Sequence, residues 1–505
     1  MSASEKGLSS LTAAAVTAMR RGIEKESLRA HPDGSLATTP HPAALGSPLT
    51  HPHITTDFSE SQLELITGAH RTIDDCLQEL TRIHQVVYRH IGDELLWCAS
   101  MPCVLPPDDK IPIGRYGSSN VGRAKSVYRM GLSYRYGRRM QTISGIHYNW
   151  SIPGAGNEEY FALIRNFRRW SWLLLYLFGA SPAVCESFVE GRAHELTELA
   201  PGTLYAPHGT SLRMGRLGYQ SDAQATLAVS YNSLQSYSAS LYEALTQPYP
   251  AYEKIGIREA DHYKQLATSL LQIENEFYGT IRPKRRTKPG ERPLHALGER
   301  GVEYVEVRLV DLDPFAPIGI TAQTIRFFDV FLLSCLLSDS PPDTPKEIAA
   351  LKRNQHLVAT RGREPELLLE INGEKISLRE WGSEVLAHCA PIAKKLDEVH
   401  GGAAYQEAHA AATAALKDAA LVPSARVLHA MARNHGNSHV RFTLAQSMLH
   451  RGTELGLPLP PEVEEEFRLM AQASAAKQRQ IEHADRVDFE TYRRKYLAPE
   501  LLLVH

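Results

Sequence analysis

Apolar residues recur at helical spacing between Gly68 and Ile91, at Ile73, Cys76, Leu77, Leu80, Ile83 and Val87, and this period predicts an amphipathic helix laid over one face of a sheet. Arg21–Arg29 (RGIEKESLR), Gln141–Ile152 (QTISGIHYNWSI) and Val302–Leu312 (VEYVEVRLVDL) read instead as strands. His31-Pro32-Asp33-Gly34 follows the first; proline fixes φ and glycine accepts positive φ, so a hairpin is expected there. The most apolar stretch, Trp170 to Cys185, falls short of the ~20 residues of a bilayer span. Gly179, Ser181 and Pro182 interrupt it, and a buried core helix is expected. Helix dominates between the second and third strands and again from about Pro314, where alanine-rich segments follow without a repeat of solenoid length. Strands in the first two-thirds, with helices around and after them, predict an α+β fold on one large, mainly antiparallel sheet. Residues 1–19 are expected to form a loosely tied helical extension, and 20–505 a single domain that is mostly helical from about 314.

Residues two apart on a strand share a face. Glu24 and Glu26 therefore point the same way, with Gly22 and Leu28. Two adjacent carboxylates repel, so that face either holds a hard cation or lies open to water. On the second strand Gln141, Ile143, Gly145, His147, Asn149 and Ser151 share one side. A glycine beside a histidine and an amide suits a wall that a ligand approaches closely, although a lone histidine is more often structural. On the third, Glu306 and Arg308 oppose Val305, Val307 and Leu309, the face expected to pack under helices, and parity assigns Glu303 to that packed face. Asp57, Glu60 and Glu64 form a further acidic group in HITTDFSESQLELIT; Asp57 and Glu64 face together only if the chain bends near Ser59–Ser61. The face count gathers Glu24, Glu26, Asp57, Glu64 and Glu306 as oxygen ligands, with His147 beside them and no cysteine near. Such a set selects Mg²⁺ or Mn²⁺ over zinc and, beside arginines, suits a nucleotide-processing site.

Composition narrows the classes. With 43% hydrophobic and 22% charged residues in 505, the chain has the balance of a globular protein with a large core. Its 55 Lys and Arg against 57 Asp and Glu leave a net charge of -2, which gives no overall field to hold nucleic acid or an anionic membrane. Cys76, Cys98, Cys103, Cys185, Cys335 and Cys389 are scattered without zinc-finger spacing, as expected in a reducing compartment. No cationic segment followed by an apolar run opens the chain, so secretion is not expected. Gly117-Ser-Ser-Asn-Val-Gly122 has the glycine spacing of a phosphate loop, but Arg123-Ala124 replaces its Lys and Ser/Thr. No G-x-G-x-x-G follows a strand and no H-E-x-x-H occurs. The basic run Ile281–Lys288, with Arg282, Lys284 and Arg285, suits either a triphosphate or a solvated loop; the adjoining Gln272–Tyr278 (QIENEFY) inclines it toward a site.

Six segments in order, GIEKESLR, QTISGIHYNWSIP, LFGASPAVC, TLYAPHGTSLRMGRLGY, LQIENEFYGTIRPKR and GVEYVEVRLVDLDPFAPIGI, together resemble the proteobacterial-type glutamate-cysteine ligases. The resemblance runs from about residue 20 to the end; the segment before it and the loop Ala193–Thr203 are less typical. It implies a fold similar to that of glutamine synthetase, a curved, mainly antiparallel sheet forming a funnel with metals on its inner face. It implies that Glu24, Glu26, Asp57, Glu64, His147 and Glu306 contribute to Mg²⁺ (or Mn²⁺) sites, and that Tyr128, Leu132, Gln141, Ile143, Arg213, Tyr219 and Arg308 line the amino-acid pockets. ATP, glutamate and cysteine are the implied substrates, with Arg282, Lys284 and Arg285 toward ATP and Glu306 and Arg308 at the reacting groups. A cytoplasmic monomer with no nucleic-acid or membrane partner is expected. The acceptor pocket's generic tyrosines leave open a related ligase that joins glutamate to a different amine.

Overall fold

The structure, a computed structural model, describes residue 8 and residues 11–218, 222–225 and 227–502. Seven strands form its main sheet: β1 (Arg20–Ala30), β2 (Ile54–Thr56), β3 (Gln62–Ile66), β4 (Leu95–Leu96), β5 (Ile146–Ser151), β6 (Ile281–Lys284) and β7 (Tyr304–Val310). Their order is β6-β7-β5-β1-β3-β2, with β4 pairing to the end of β1, and every pairing is antiparallel. The α+β expectation holds.

The predicted amphipathic helix is α1 (Ile73–His90), capped by the Thr72 side chain, which accepts from the Asp75 N–H. It lies on β1 and β3; α3 (Asn157–Phe178), containing much of the Trp170–Cys185 stretch, lies along β6 and β7, and α4 (Ala322–Leu337) packs on α3 and α1. One face of the sheet therefore enters the core through Ile23, Leu63, Leu65, Ile146, Tyr148, Trp150, Val305 and Val307, all buried. Among the described residues no helix is long and apolar enough to cross a membrane. A buried ion pair fastens helix to sheet: Arg21 of β1 meets Asp329 of α4 at 2.7 Å, and the Tyr148 hydroxyl of β5 donates to the other Asp329 oxygen at 2.8 Å.

The observed elements depart from expectation in four places. The second strand begins at Ile146, not Gln141, because Met140–Thr142 is a 3₁₀ turn. There the Gln62 amide donates to the Ile143 carbonyl at 2.9 Å, the Ser144 N–H goes to the Ser100 carbonyl, and the Ile143 side chain enters a second apolar cluster with Leu28, Trp97 and Leu212. Glu303 is not under the helices; it lies ahead of β7, half-buried, and accepts from Arg286. The terminal helix Ala13–Thr17 is not loose, since Val16 and Met19 are fully buried. The region after 314 is not helical throughout: Leu368–Ile371 and Glu374–Ser377 form a hairpin, whose turn residues Asn372 and Gly373 take φ of 52° and 87°, the conformation that Asn-Gly supplies most readily.

Candidate active site

Strand register assembles the site. Directly opposed residues of antiparallel strands share a face and lie about 5 Å apart at Cβ. Glu24 opposes His147, Glu26 opposes Glu64, and Glu306 opposes Asn149 on one side and Arg282 on the other. The predicted acidic face is thus one continuous wall across β3, β1, β5 and β7. His147 sits at its centre, with Nδ1 3.1 Å from Glu24 and 3.9 Å from Glu306, and Nε2 3.7 Å from Glu26. The Asn149 amide donates to Glu24 at 2.9 Å, and the Gly145 N–H to Glu26 at 2.7 Å. The bend required to bring Asp57 onto this face is present as the β2–β3 turn, where the Asp57 N–H reaches the Gln62 carbonyl. Glu60 turns away and accepts the backbone N–H groups of His41 and Arg115.

The wall divides electrostatically. Burial penalises the Glu306 anion, but Lys284 at 3.2 Å and Arg308 at 3.1 Å hold its carboxyl well below the ordinary range. Glu24 is half-buried, and the hydrogen bond from His147 keeps its carboxyl low against the cost of desolvation. His147 is itself depressed by burial and by Arg308, so its imidazole is neutral and able to act as a ligand. On the other half, burial and the Asp57 charge push Glu26 up to about 8, and burial with Glu24 and Asp57 raises Glu64 well above its usual value. These two groups require either protons or a cation. Glu24, His147 and Glu306 each present a donor atom within 4.8 Å of the others, and the buried His147 Nε2 and Asn149 Oδ1 have no hydrogen-bond partner among the described residues. Oxygen donors with one imidazole fit a hard divalent cation. A second group, Glu291, His295 and Glu299, has both its carboxylates engaged by Arg300.

Arginines border the wall. Arg308 remains on the Glu306 face despite the irregular register between Val307 and Val310, and the buried Arg213 donates to the Arg308 carbonyl at 2.7 Å. Gly145 makes room for Arg213: a Cβ there would lie 2.1 Å from the guanidinium. Both arginines line a cavity of about 170 Å³ with Tyr231, Phe277, Tyr278 and Gln224. Gln141 donates to the Tyr278 hydroxyl at 3.0 Å, which ties it to this cavity although it lies outside β5. Tyr128 and Leu132 come from helix α2 (Asn120–Tyr136); burial, Glu276 and Tyr278 raise the Tyr128 phenol well above its usual range. Ile143 is fully buried in the second apolar cluster, and Tyr219 lies outside the described residues. In the basic run, Lys284 meets Glu306, the Arg282 guanidinium donates to the Asn275 and Phe277 carbonyls, and Arg285 lies 3.7 Å from Glu303. The Gly117–Gly122 segment leads into the first turn of α2, which Ser119 caps, and its Asn120 N–H is taken by Asp485 at 2.6 Å. Parity put Asn149 on this face, but only the strand register shows that it meets Glu24, and nothing in the spacing of Tyr278 pointed to the Gln141 contact.

Residues 8–358 match the sequence profile of the glutamate-cysteine ligases. The chain is 47% identical over 508 aligned positions to a glutamate-cysteine ligase of Alcanivorax borkumensis, covering 96% of each, and 48% identical over 500 positions to that of Pseudomonas putida, covering 95% of each. Among solved structures it is similar to the Francisella tularensis glutamate-cysteine ligase in complex with AMP, with a TM-score of 0.91 and 36% identity over 95% of this chain and 98% of that one. It is also similar to a bifunctional glutathione synthetase from Pasteurella multocida, with a TM-score of 0.70 and 25% identity, covering 93% of this chain and 57% of that one. A sheet face carrying this acidic wall, joined to such likeness over almost its whole length, makes the chain a member of the glutamate-cysteine ligase family.

Proposed function

We propose that the protein joins the γ-carboxylate of L-glutamate to the amine of L-cysteine, converting ATP to ADP and phosphate, in the first step of glutathione synthesis. The observation that carries this reading is the single sheet face on which Glu24, Glu26, Glu64, His147 and Glu306 meet, bordered by Arg308 and Lys284. A carboxylate approaching a triphosphate is repelled, and a site for this chemistry needs concentrated positive charge beside groups able to fix cations.

In the proposed sequence a γ-carboxylate oxygen of glutamate attacks the γ-phosphorus of ATP and ADP departs, leaving γ-glutamyl phosphate. The cysteine amine then attacks the acyl carbon, phosphate departs, and the amine proton is released. Glu24, Glu26, Asp57, Glu64, His147 and Glu306 would hold Mg²⁺ or Mn²⁺, which when bound neutralises phosphate charge. Arg308, with Glu306 holding its guanidinium at 3.1 Å, presents N–H donors to the transferring phosphoryl group or to the tetrahedral intermediate. Lys284, beside Glu306, is assigned to the nucleotide, and Arg282 acts by holding the Asn275 and Phe277 carbonyls; Arg285, paired with Glu303, completes the basic run. Tyr128, Leu132, Gln141 and Tyr278 shape the acceptor side. Six free, buried cysteines support a reducing, cytoplasmic setting.

ADP release by the purified protein with ATP, Mg²⁺ and glutamate, with and without cysteine, tests this reading when the product is identified by mass. Cysteine-dependent release with γ-glutamylcysteine formed is the expected result. Release only with another amine overturns the acceptor assignment, and no release under any condition overturns the catalytic one.

A further inference from the structure

The family profile ends at residue 358, yet the last described α-helix, α5 (Phe489–Tyr496), returns to the active-site side of the molecule. It packs on α2, the helix that carries Tyr128 and Leu132. Phe489, 3% exposed, forms an apolar cluster with Ala124 and Leu266, and Val127, Tyr128, Ile273 and Tyr492 pack against it. The Arg123 guanidinium lies over the Phe489 ring at 4.5 Å, and Tyr263 meets the same ring edge-on at 4.8 Å.

Polar contacts fix the same segment at both ends. At the start of α2, Asp485 accepts the Asn120 N–H at 2.6 Å, the Asn120 amide donates to the Val487 carbonyl at 2.9 Å, and Glu482 accepts the Ser118 N–H at 2.9 Å. A carboxylate there satisfies a backbone donor with no partner inside the helix and complements the helix dipole. Further along, Arg493 donates to the Leu266 carbonyl at 2.6 Å, Tyr263 donates to Glu490 at 2.9 Å, and Arg292, paired with Glu274, donates to the Tyr496 carbonyl at 2.8 Å. The strap therefore joins α2 to the segment 263–276. That segment in turn touches α2 through Gln272, which donates to the Tyr128 carbonyl at 3.2 Å and fills the space beside Gly131, where a Cβ would meet its amide at 2.2 Å.

We infer that residues 482–496 are a positioning strap for the acceptor pocket: they hold α2 and the 263–276 segment at the spacing that lets Tyr128 and Leu132 receive the amine substrate. Phe489, Asp485 and Arg493 are its anchors. This inference rests on the reading of Tyr128 as an acceptor-pocket residue. Tyr128 belongs to both regions: it packs against the Phe489 cluster, and its phenol is held up by burial and by the charges of Glu276 and Tyr278. The nucleotide and metal wall lies on β1, β3, β5, β6 and β7, none of which the strap touches through the contacts above. Loosening the strap should therefore act on one substrate.

The test compares Phe489→Ala, Phe489→Leu, Asp485→Ala and Tyr128→Ala in the full-length protein, measuring KM separately for cysteine, glutamate and ATP together with kcat at saturating cysteine. For Phe489→Ala and Asp485→Ala the cysteine KM should rise about fivefold or more, with kcat and the other two KM values within about twofold of wild type. Phe489→Leu, which refills most of the volume, should restore most of the cysteine KM. A uniform fall in kcat, or equal changes in all three KM values, makes the strap a general stabiliser and overturns the proposal. Should Phe489→Ala fail to fold, Asp485→Ala decides alone, and an unchanged cysteine KM in it overturns the proposal. An unchanged cysteine KM in Tyr128→Ala sinks the acceptor-pocket reading itself; a raised value there with no change in the strap variants sinks only the strap.

Discussion

At the scale of single residues the acidic wall sets the behaviour. Arg308 meets both Glu306 and His147, at 3.1 and 3.4 Å, through a planar fork that an ammonium cannot reproduce. Arg308→Lys is expected to lower kcat roughly tenfold or more, about 1.4 kcal/mol of barrier; turnover within about twofold of wild type in a steady-state assay removes Arg308 from the mechanism. The wall also predicts a pH dependence of stability. Glu26 has its folded value raised to about 8 and Glu64 is raised as well, so the neutral carboxyls are the favoured folded forms. Their contribution is complete below the unfolded carboxyl value of about 4.5 and is lost as pH rises toward 8. Glu24 and Glu306 are depressed, and their opposite contribution is lost only as pH falls below that range. Between pH 5 and 8 the metal-free protein should therefore lose stability through Glu26 and Glu64. In thermal melts without metal, Glu26→Gln should gain on wild type as pH rises across this window, and Mg²⁺ should erase much of the difference by replacing the proton. A difference independent of pH contradicts the assignment.

At the scale of elements, parity served where ladders are regular. Glu24, Glu26, Glu306 and Arg308 lie where alternation puts them, because β1 and β7 pair on both sides and one face is sealed by helices. It did not serve for Gln141 and Ile143, since ladder pairing there yields to a side chain, Gln62, and to the pull of a second apolar cluster on Ile143. Such competition is settled by residues distant in sequence, as are the Tyr278–Gln141 contact and the fit of Arg213 over Gly145. The Asn372-Gly373 turn was legible from its dipeptide and was hidden by the helical surroundings. The register that builds the wall is held from behind by Asp329, which joins Arg21 of β1 to Tyr148 of β5. Arg21 and Asp329 are 1% and 0% exposed, and removing one partner of a buried pair leaves an uncompensated charge at a cost of about 3–5 kcal/mol. Asp329→Ala should lower the free energy of unfolding in urea by about that amount; a loss below about 1 kcal/mol, the worth of an exposed pair, contradicts the lock.

At the scale of the molecule, what matters is whether the region after 358 is an appendage or part of the core. The family profile ends there, within the helix Pro345–Arg361. Continuity of the core says that the rest is required. One apolar cluster runs from Leu11 to Leu502 and includes Trp381, Val385, Leu386, Cys389, Ile392 and Leu396 of the helix Leu378–His400. Trp381 meets Trp172 of α3 with ring centroids 4.8 Å apart, and Leu416 packs so closely on Gly382 that a Cβ there would come within 2.8 Å of it. Each such side chain contributes about 1.5–3 kcal/mol by burial, against a net stability of about 5–15 kcal/mol for a folded protein. Half a dozen lost contacts are enough to consume it. We therefore propose that residues 11–502 fold as one unit, and a chain ending at residue 358 should show no cooperative thermal transition by circular dichroism, with apolar faces of α3 and α4 exposed to dye binding. A truncated chain that melts cooperatively and still binds Mg-ATP would make the tail a separable domain.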